Sequence, residues 1–117
     1  MIINRLMEVK LGKEENAAKF YFTLKDKVEI LEALRRLKTA KPDDKQVNDE
    51  VTNFVIDALI KIENLFDLDS SGNQKAVTPE DLKAGRVPSY IITLIRDAYF
   101  AQVNSAENAE KKDIMSV

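Results

Sequence analysis

Residues 44–66 read DKQVNDEVTNFVIDALIKIENLF, and the fold turns on how this stretch is read. Val47, Val51, Phe54, Val55, Ala58, Leu59, Ile62, Leu65 and Phe66 recur at three- and four-residue steps. That spacing draws a broad apolar face on a helix. Ile56 and Ile60 widen the face, while Asn48, Asp49, Asn53, Asp57, Lys61 and Asn64 fall opposite. Asp43 or Asp44 supplies the acceptor that a helix start needs for its free backbone N–H groups. The pattern predicts a central helix over 44–66, buried on more than one side, with Asp57 and Lys61 as a solvated ion pair one turn apart.

Working towards the N-terminus, Leu24, Val28, Ile30, Leu31, Leu34 and Leu37 repeat with helical spacing and predict a helix over 24–38. Thr23 with Asp26 three residues on matches a capping box, and Glu32 with Arg36 a favourable four-residue ion pair. Before that helix, Glu8-Val9-Lys10-Leu11 alternates polar with apolar, and Lys19-Phe20-Tyr21-Phe22-Thr23 is aromatic-rich. Both suit strands, joined by the polar loop at Gly12, so a β-hairpin is predicted within 2–23.

Towards the C-terminus, Asp67 to Lys75 reads as a polar connector. Asp67, Asp69, Ser71 and Gly72 fall at positions one, three, five and six of a calcium loop, but Gln74 and Thr78 stand where an apolar residue and a bidentate Glu belong. Local turn chemistry explains Asp, Ser and Gly here, and no metal site is expected. Thr78-Pro79-Glu80-Asp81 starts a short helix over 79–84, closed by Gly85. Pro88 opens a last helix over 88–104, with Tyr90, Ile91, Leu94, Ile95, Ala98, Tyr99 and Val103 as its apolar set. Residues 105–117 read as a flexible charged tail.

These elements make a single domain over 1–104, mainly α with a small N-terminal β-hairpin, about four helices surrounding one apolar helix. The chain of 117 residues is 44% hydrophobic and 32% charged, with a formal net charge of -2. It has no histidine and no cysteine, which removes the commonest general base, thiolate metal ligands and disulfides. There is no Gly-rich phosphate loop and no Ser-centred elbow, so no catalytic residue and no cofactor is expected. Nucleic acid is not expected as a partner, because no basic excess or stripe is visible. In 77–97 the helix-turn-helix spacing offers one arginine, Arg96, on its second helix and no Gln or Lys at that helix's start. No apolar run is long enough for a membrane span, so no membrane contact is expected and the chain reads as cytoplasmic.

The expected partner is another protein. The residues chosen for contact are Val9, Leu11, Phe20, Tyr21 and Phe22 on the hairpin, and Tyr90, Tyr99 and Phe100 on the last helix. Phe100 stands beside that helix's apolar face and is expected to be exposed. A hairpin needs further packing in water, which also suggests a homo-oligomer.

The opening Asn4-Arg5-x-x-x-Glu8-Val9-x-Leu11, the segment FTLKDKVEILEALRRL (22–37), the apolar stretch at 44–66 and the segment VTPEDLKAGRVPSYIITLIRDAY (77–99) resemble, in outline, the tail assembly chaperones of long-tailed bacteriophages and prophages. The likeness covers most of the chain as a layout without a diagnostic motif. It implies a non-enzymatic protein that oligomerises, holds the aggregation-prone tape-measure protein, acts in the host cytoplasm and gives way to the tail-tube protein. A different class, a small acidic regulatory or inhibitory protein docking on another protein, would draw on Asp43, Asp44, Asp49, Asp67, Asp69, Glu80 and Asp81.

Overall fold

The helix expected over 44–66 ends at Asp57, and the residues after it form a strand. In the computed structural model, which describes residues 6–41 and 43–115 and side chains as far as Asn104, Lys45–Asp57 is helix α2 and Leu59–Glu63 is strand β3. Asp44 caps α2, its side chain accepting from the Val47 N–H at 3.2 Å. Ala58 closes the helix, and its carbonyl accepts the Thr23 N–H at 2.8 Å. The chain therefore passes straight from helix to strand.

The reason is tertiary. Phe20 and Phe22 lie on β2 (Ala18–Thr23), which pairs with β1 (Leu6–Leu11) on one edge and needs a partner on the other. Leu59-Ile60-Lys61-Ile62-Glu63 is rich in strand formers and supplies that partner, antiparallel, with Phe20 opposite Ile62 and Tyr21 opposite Lys61. The register shifts before Phe22, which stands opposite Leu59, so Ile60 has no counterpart and forms a bulge, 49% exposed. The expected Asp57–Lys61 pair is therefore absent. Lys61 lies on the strand and pairs with Glu63 at 3.0 Å.

Asn64, with φ of 60°, turns the chain out of β3. Phe66–Leu68 (β4) and Gln74–Ala76 (β5) then form a separate two-stranded hairpin where a polar connector was expected. Asp69 shapes its turn: one carboxylate oxygen accepts the N–H groups of Ser71 and Asn73, both at 2.9 Å. The aspartate thus plays the local turn role open to such residues.

The remaining helices are α1 (Lys27–Thr39), α3 (Pro79–Lys83) and α4 (Ser89–Met115). Asp26 alone caps α1, accepting from the Val28 N–H at 2.8 Å, while Thr23 stays in β2. Glu32 pairs with Arg35, and Arg36 reaches Glu50 on α2. Thr78 and Asp81 form a reciprocal capping box on α3, and Gly85, at φ of 72°, ends that helix in the left-handed conformation that glycine adopts without strain. α4 continues through Ser105–Met115 instead of stopping near Asn104. Residues 2–5 of the expected hairpin and the last two of the tail lie outside the described residues.

The fold is thus α+β, not mainly α: four helices, a three-stranded sheet ordered β1-β2-β3, and the β4–β5 hairpin, among the described residues. Helices cover one face of the larger sheet. Val9, Phe20, Phe22 and Leu59 point into that layer and meet Val51, Val55, Ile95 and Tyr99. The opposite sheet face carries Glu8, Lys10, Lys19, Tyr21, Lys61 and Glu63, the alternation expected of a sheet wet on one side.

Candidate protein-binding surface

Among the described residues, large apolar side chains left outside the core stand on β4 and at the start of α4, and also at Leu6, Leu24, Val28, Leu31 and Ile60, so the helical spacing of Leu24, Val28 and Leu31 does not bury them. Phe66 is 53% exposed, Leu68 64%, Tyr90 66% and Leu94 51%. Phe66 and Leu68 alternate around Asp67, so strand periodicity sets them on one side of the hairpin. Tyr90 and Leu94 stand one helical turn apart. Phe66 and Tyr90 line a common groove of about 150 Å³, floored by Leu65, Val77, Val87 and Ile91. Val77 is pinned there, its N–H donating to the Leu65 carbonyl at 2.9 Å. The result is an apolar ridge beside a shallow apolar groove.

Helical spacing puts Phe66 at the end of the 44–66 helix and Leu94 on the apolar face of the last helix, and it leaves Leu68 in a polar connector. The signal was present: Phe66-Asp67-Leu68 alternates, and Ser70-Ser71-Gly72-Asn73 supplies the turn of a hairpin.

Of the residues expected to meet a partner, five are core. Val9, Phe20, Phe22, Tyr99 and Phe100 are each at most 4% exposed. Strand alternation turns Val9, Phe20 and Phe22 to the covered face. Tyr99 and Phe100 are both enclosed because α4 is packed on two sides, by β1 and by α2. Phe100, expected to be exposed, meets Tyr99 edge to face at 5.3 Å, and Tyr99 meets Phe22 at 4.9 Å. Burial pushes the Tyr99 hydroxyl up to about 12. Leu11 and Tyr21 are half-buried, and Tyr90 is fully on the surface. Tyr21 lies on the wet sheet face, beneath the Lys61 ammonium at 5.5 Å, and donates to Glu63 at 3.3 Å. Desolvation, with the Glu63 and Glu8 charges behind it, raises its pKa.

A groove of about 650 Å³ runs between α2, α3 and α4, with Asp49, Asn53, Asp57, Lys83 and Thr93 on its walls. Arg96 lies within it, its side chain 13% exposed. Its guanidinium donates to Asn48 and Thr52 on α2 and to Asp97 beside it. The arginine of the helix-turn-helix spacing is thus committed to joining two helices. The acids considered for an acidic docking face have local duties too. Asp44 and Asp69 hold backbone N–H groups, and Asp81 caps α3 and pairs with Arg86 at 3.0 Å.

Among the described residues, no group of three or more His, Cys, Asp or Glu side chains is placed to hold a metal ion, and no helix is long and apolar enough to cross a membrane. No family model, curated protein or solved structure matches the chain.

Proposed function

We propose that this protein binds another polypeptide, without catalysing a reaction on it, along the ridge of Phe66, Leu68, Tyr90 and Leu94. The observation that carries this reading is the exposure of four large apolar side chains on β4 and the start of α4, each more than half open to solvent, two of which, Phe66 and Tyr90, line one groove. Single exposed apolar residues are ordinary, but a contiguous patch of them is a recurrent mark of a protein contact. Aromatic and leucine side chains over a preformed floor suit an amphipathic helix, laid down with its apolar face inward.

The finer reading is a tail assembly chaperone of the long-tailed bacteriophage kind, holding the tape-measure protein. Its support is the resemblance carried by residues 77–99, a segment that includes Tyr90 and Leu94 from the ridge. Co-expression with any long helical protein encoded beside this gene tests both levels. The wild type is expected to copurify with it and keep it in solution. Phe66→Ser and Tyr90→Ser are expected to release it while melting at the wild-type temperature. Undiminished binding by both variants would overturn the ridge, and a gene neighbourhood lacking a long helical protein would overturn the tail reading.

A further inference from the structure

β1 forms one edge of the larger sheet, and it is a clean edge. It pairs with β2 without interruption, from Leu6 opposite Thr23 to Leu11 opposite Ala18. On its other side, Met7–Leu11 meet no backbone partner among the described residues. Such an edge is a ready template for another strand. The opposite edge, β3, is blunted by the bulge at Ile60 and by α3 packed beside it, and its Lys61 is already paired with Glu63.

The side chains of β1 write a self-complementary pattern. Met7, Val9 and Leu11 face the helical layer, while Glu8 and Lys10 face solvent. Among the described residues, neither Glu8 nor Lys10 makes an ion pair within its own chain.

We propose that β1 pairs with β1 of a second copy of this chain, antiparallel, about a two-fold axis at Val9. The two three-stranded sheets then join into one. In this register Glu8 stands opposite Lys10 of the second copy, and Lys10 opposite its Glu8, so both open charges on each edge are matched. On the covered face, half-buried Met7 and Leu11 meet Leu11 and Met7 of the second copy. Neighbouring registers are worse. A shift of two residues sets Glu8 against Glu8 or Lys10 against Lys10, and like charges directly opposite destabilise a sheet. A shift of one sends the apolar set to the wrong face. Charge pattern and pleat together thus select one occupant and one alignment. α4 packs on β1, so the joined sheet carries the two α4 helices on the same face, one on either side of the seam.

This association uses residues outside the ridge, so its test stands apart from the proposed function. Sedimentation equilibrium of the full chain from about 10 µM to about 1 mM, a range suited to a small interface, is expected to show monomer passing to dimer. Glu8→Lys and Lys10→Glu, both at exposed positions, are each expected to weaken the dimer by about tenfold or more. The double variant Glu8→Lys/Lys10→Glu restores the match and is expected to associate like the wild type. Thermal melts of the three variants confirm that each is folded. Zero-length carbodiimide coupling of a mixture of ¹⁵N-labelled and unlabelled chains is expected to join Lys10 of one copy to Glu8 of the other. A monomer throughout, as when the edge serves a strand of a different protein, overturns the proposal. So do single variants that dimerise as tightly as the wild type, or a double variant that stays monomeric.

Discussion

Arg96 donates to Asn48 at 3.1 Å, across 48 residues of chain, and so fastens α4 to α2. Its other donors reach Thr52 and Asp97, while Asn48 itself donates to the Asp44 carbonyl at 3.0 Å. The contact links the helix that caps its own start to the helix that carries Tyr90 and Leu94. Arg96→Ala is expected to cost about 1–3 kcal/mol, since it removes a charged donor from the side-chain oxygens of Asn48 and Thr52. Urea unfolding of Arg96→Ala, Asn48→Ala and the double variant measures the coupling. A double variant equal to the sum of the singles would show that the two residues act independently.

Tyr99 predicts an alkaline limit. Burial raises its hydroxyl to about 12 against an ordinary 10. Between those values the unfolded chain has released the proton and the native chain still holds it. The stability associated with a protonated Tyr99 is thus complete below pH 10 and falls as pH rises towards 12. Tyr99→Phe is expected to flatten this part of the stability profile, measured by urea midpoints across the range. An unchanged slope would assign the alkaline loss to other groups.

Phe22→Ala separates core from ridge. Phe22 is fully buried and stacked edge to face on Tyr99, so truncation is expected to cost about 3–5 kcal/mol. Leu68→Ser, at a side chain 64% exposed, is expected to change stability by no more than about 0.5 kcal/mol. Thermal melts of the two variants check both values. A large loss in Leu68→Ser would make the hairpin a structural element first.

The capping box on α3 predicts an acid limit. Asp81 is held below the usual carboxylate range, first by the Thr78 backbone N–H and then by the Thr78 hydroxyl and Arg86. Its contribution is present above the ordinary aspartate value of 3.8 and is lost as pH falls through the lower native value. Thr78→Ala is expected to cost about 1 kcal/mol at neutral pH. Asp81→Asn is expected to lessen the acid dependence, read from melts between neutral and acid pH.

Much of the fold is written locally. Alternation in Glu8–Leu11 marks β1, and Thr78-Pro79 with Asp81 marks the start of α3, because each signal is complete within a few residues. The stretch 44–66 is different. Leu59, Ile62 and Phe66 satisfy the three- and four-residue spacing of a helix, and Leu59–Glu63 also satisfies a strand with one bulge. The choice is made by Phe20 and Phe22, some 40 residues earlier, which require a third strand. The ridge was hidden for the same reason: while Phe66 belonged to a helix, its alternation with Leu68 carried no meaning.

The placement of β3 beside β2 also has a consequence for how the chain is made. Thr23 and Ala58, whose backbones are bonded, are 35 residues apart, and α1 and α2 lie between them. As the chain leaves the ribosome, β1 and β2 can zip together early, by local closure. Their Phe20 and Phe22 then wait uncovered until α2 and β3 have been synthesised. Nascent chains of this protein accordingly pass through a window with one apolar sheet face and two raw edges, when premature contact between neighbouring chains is the main hazard.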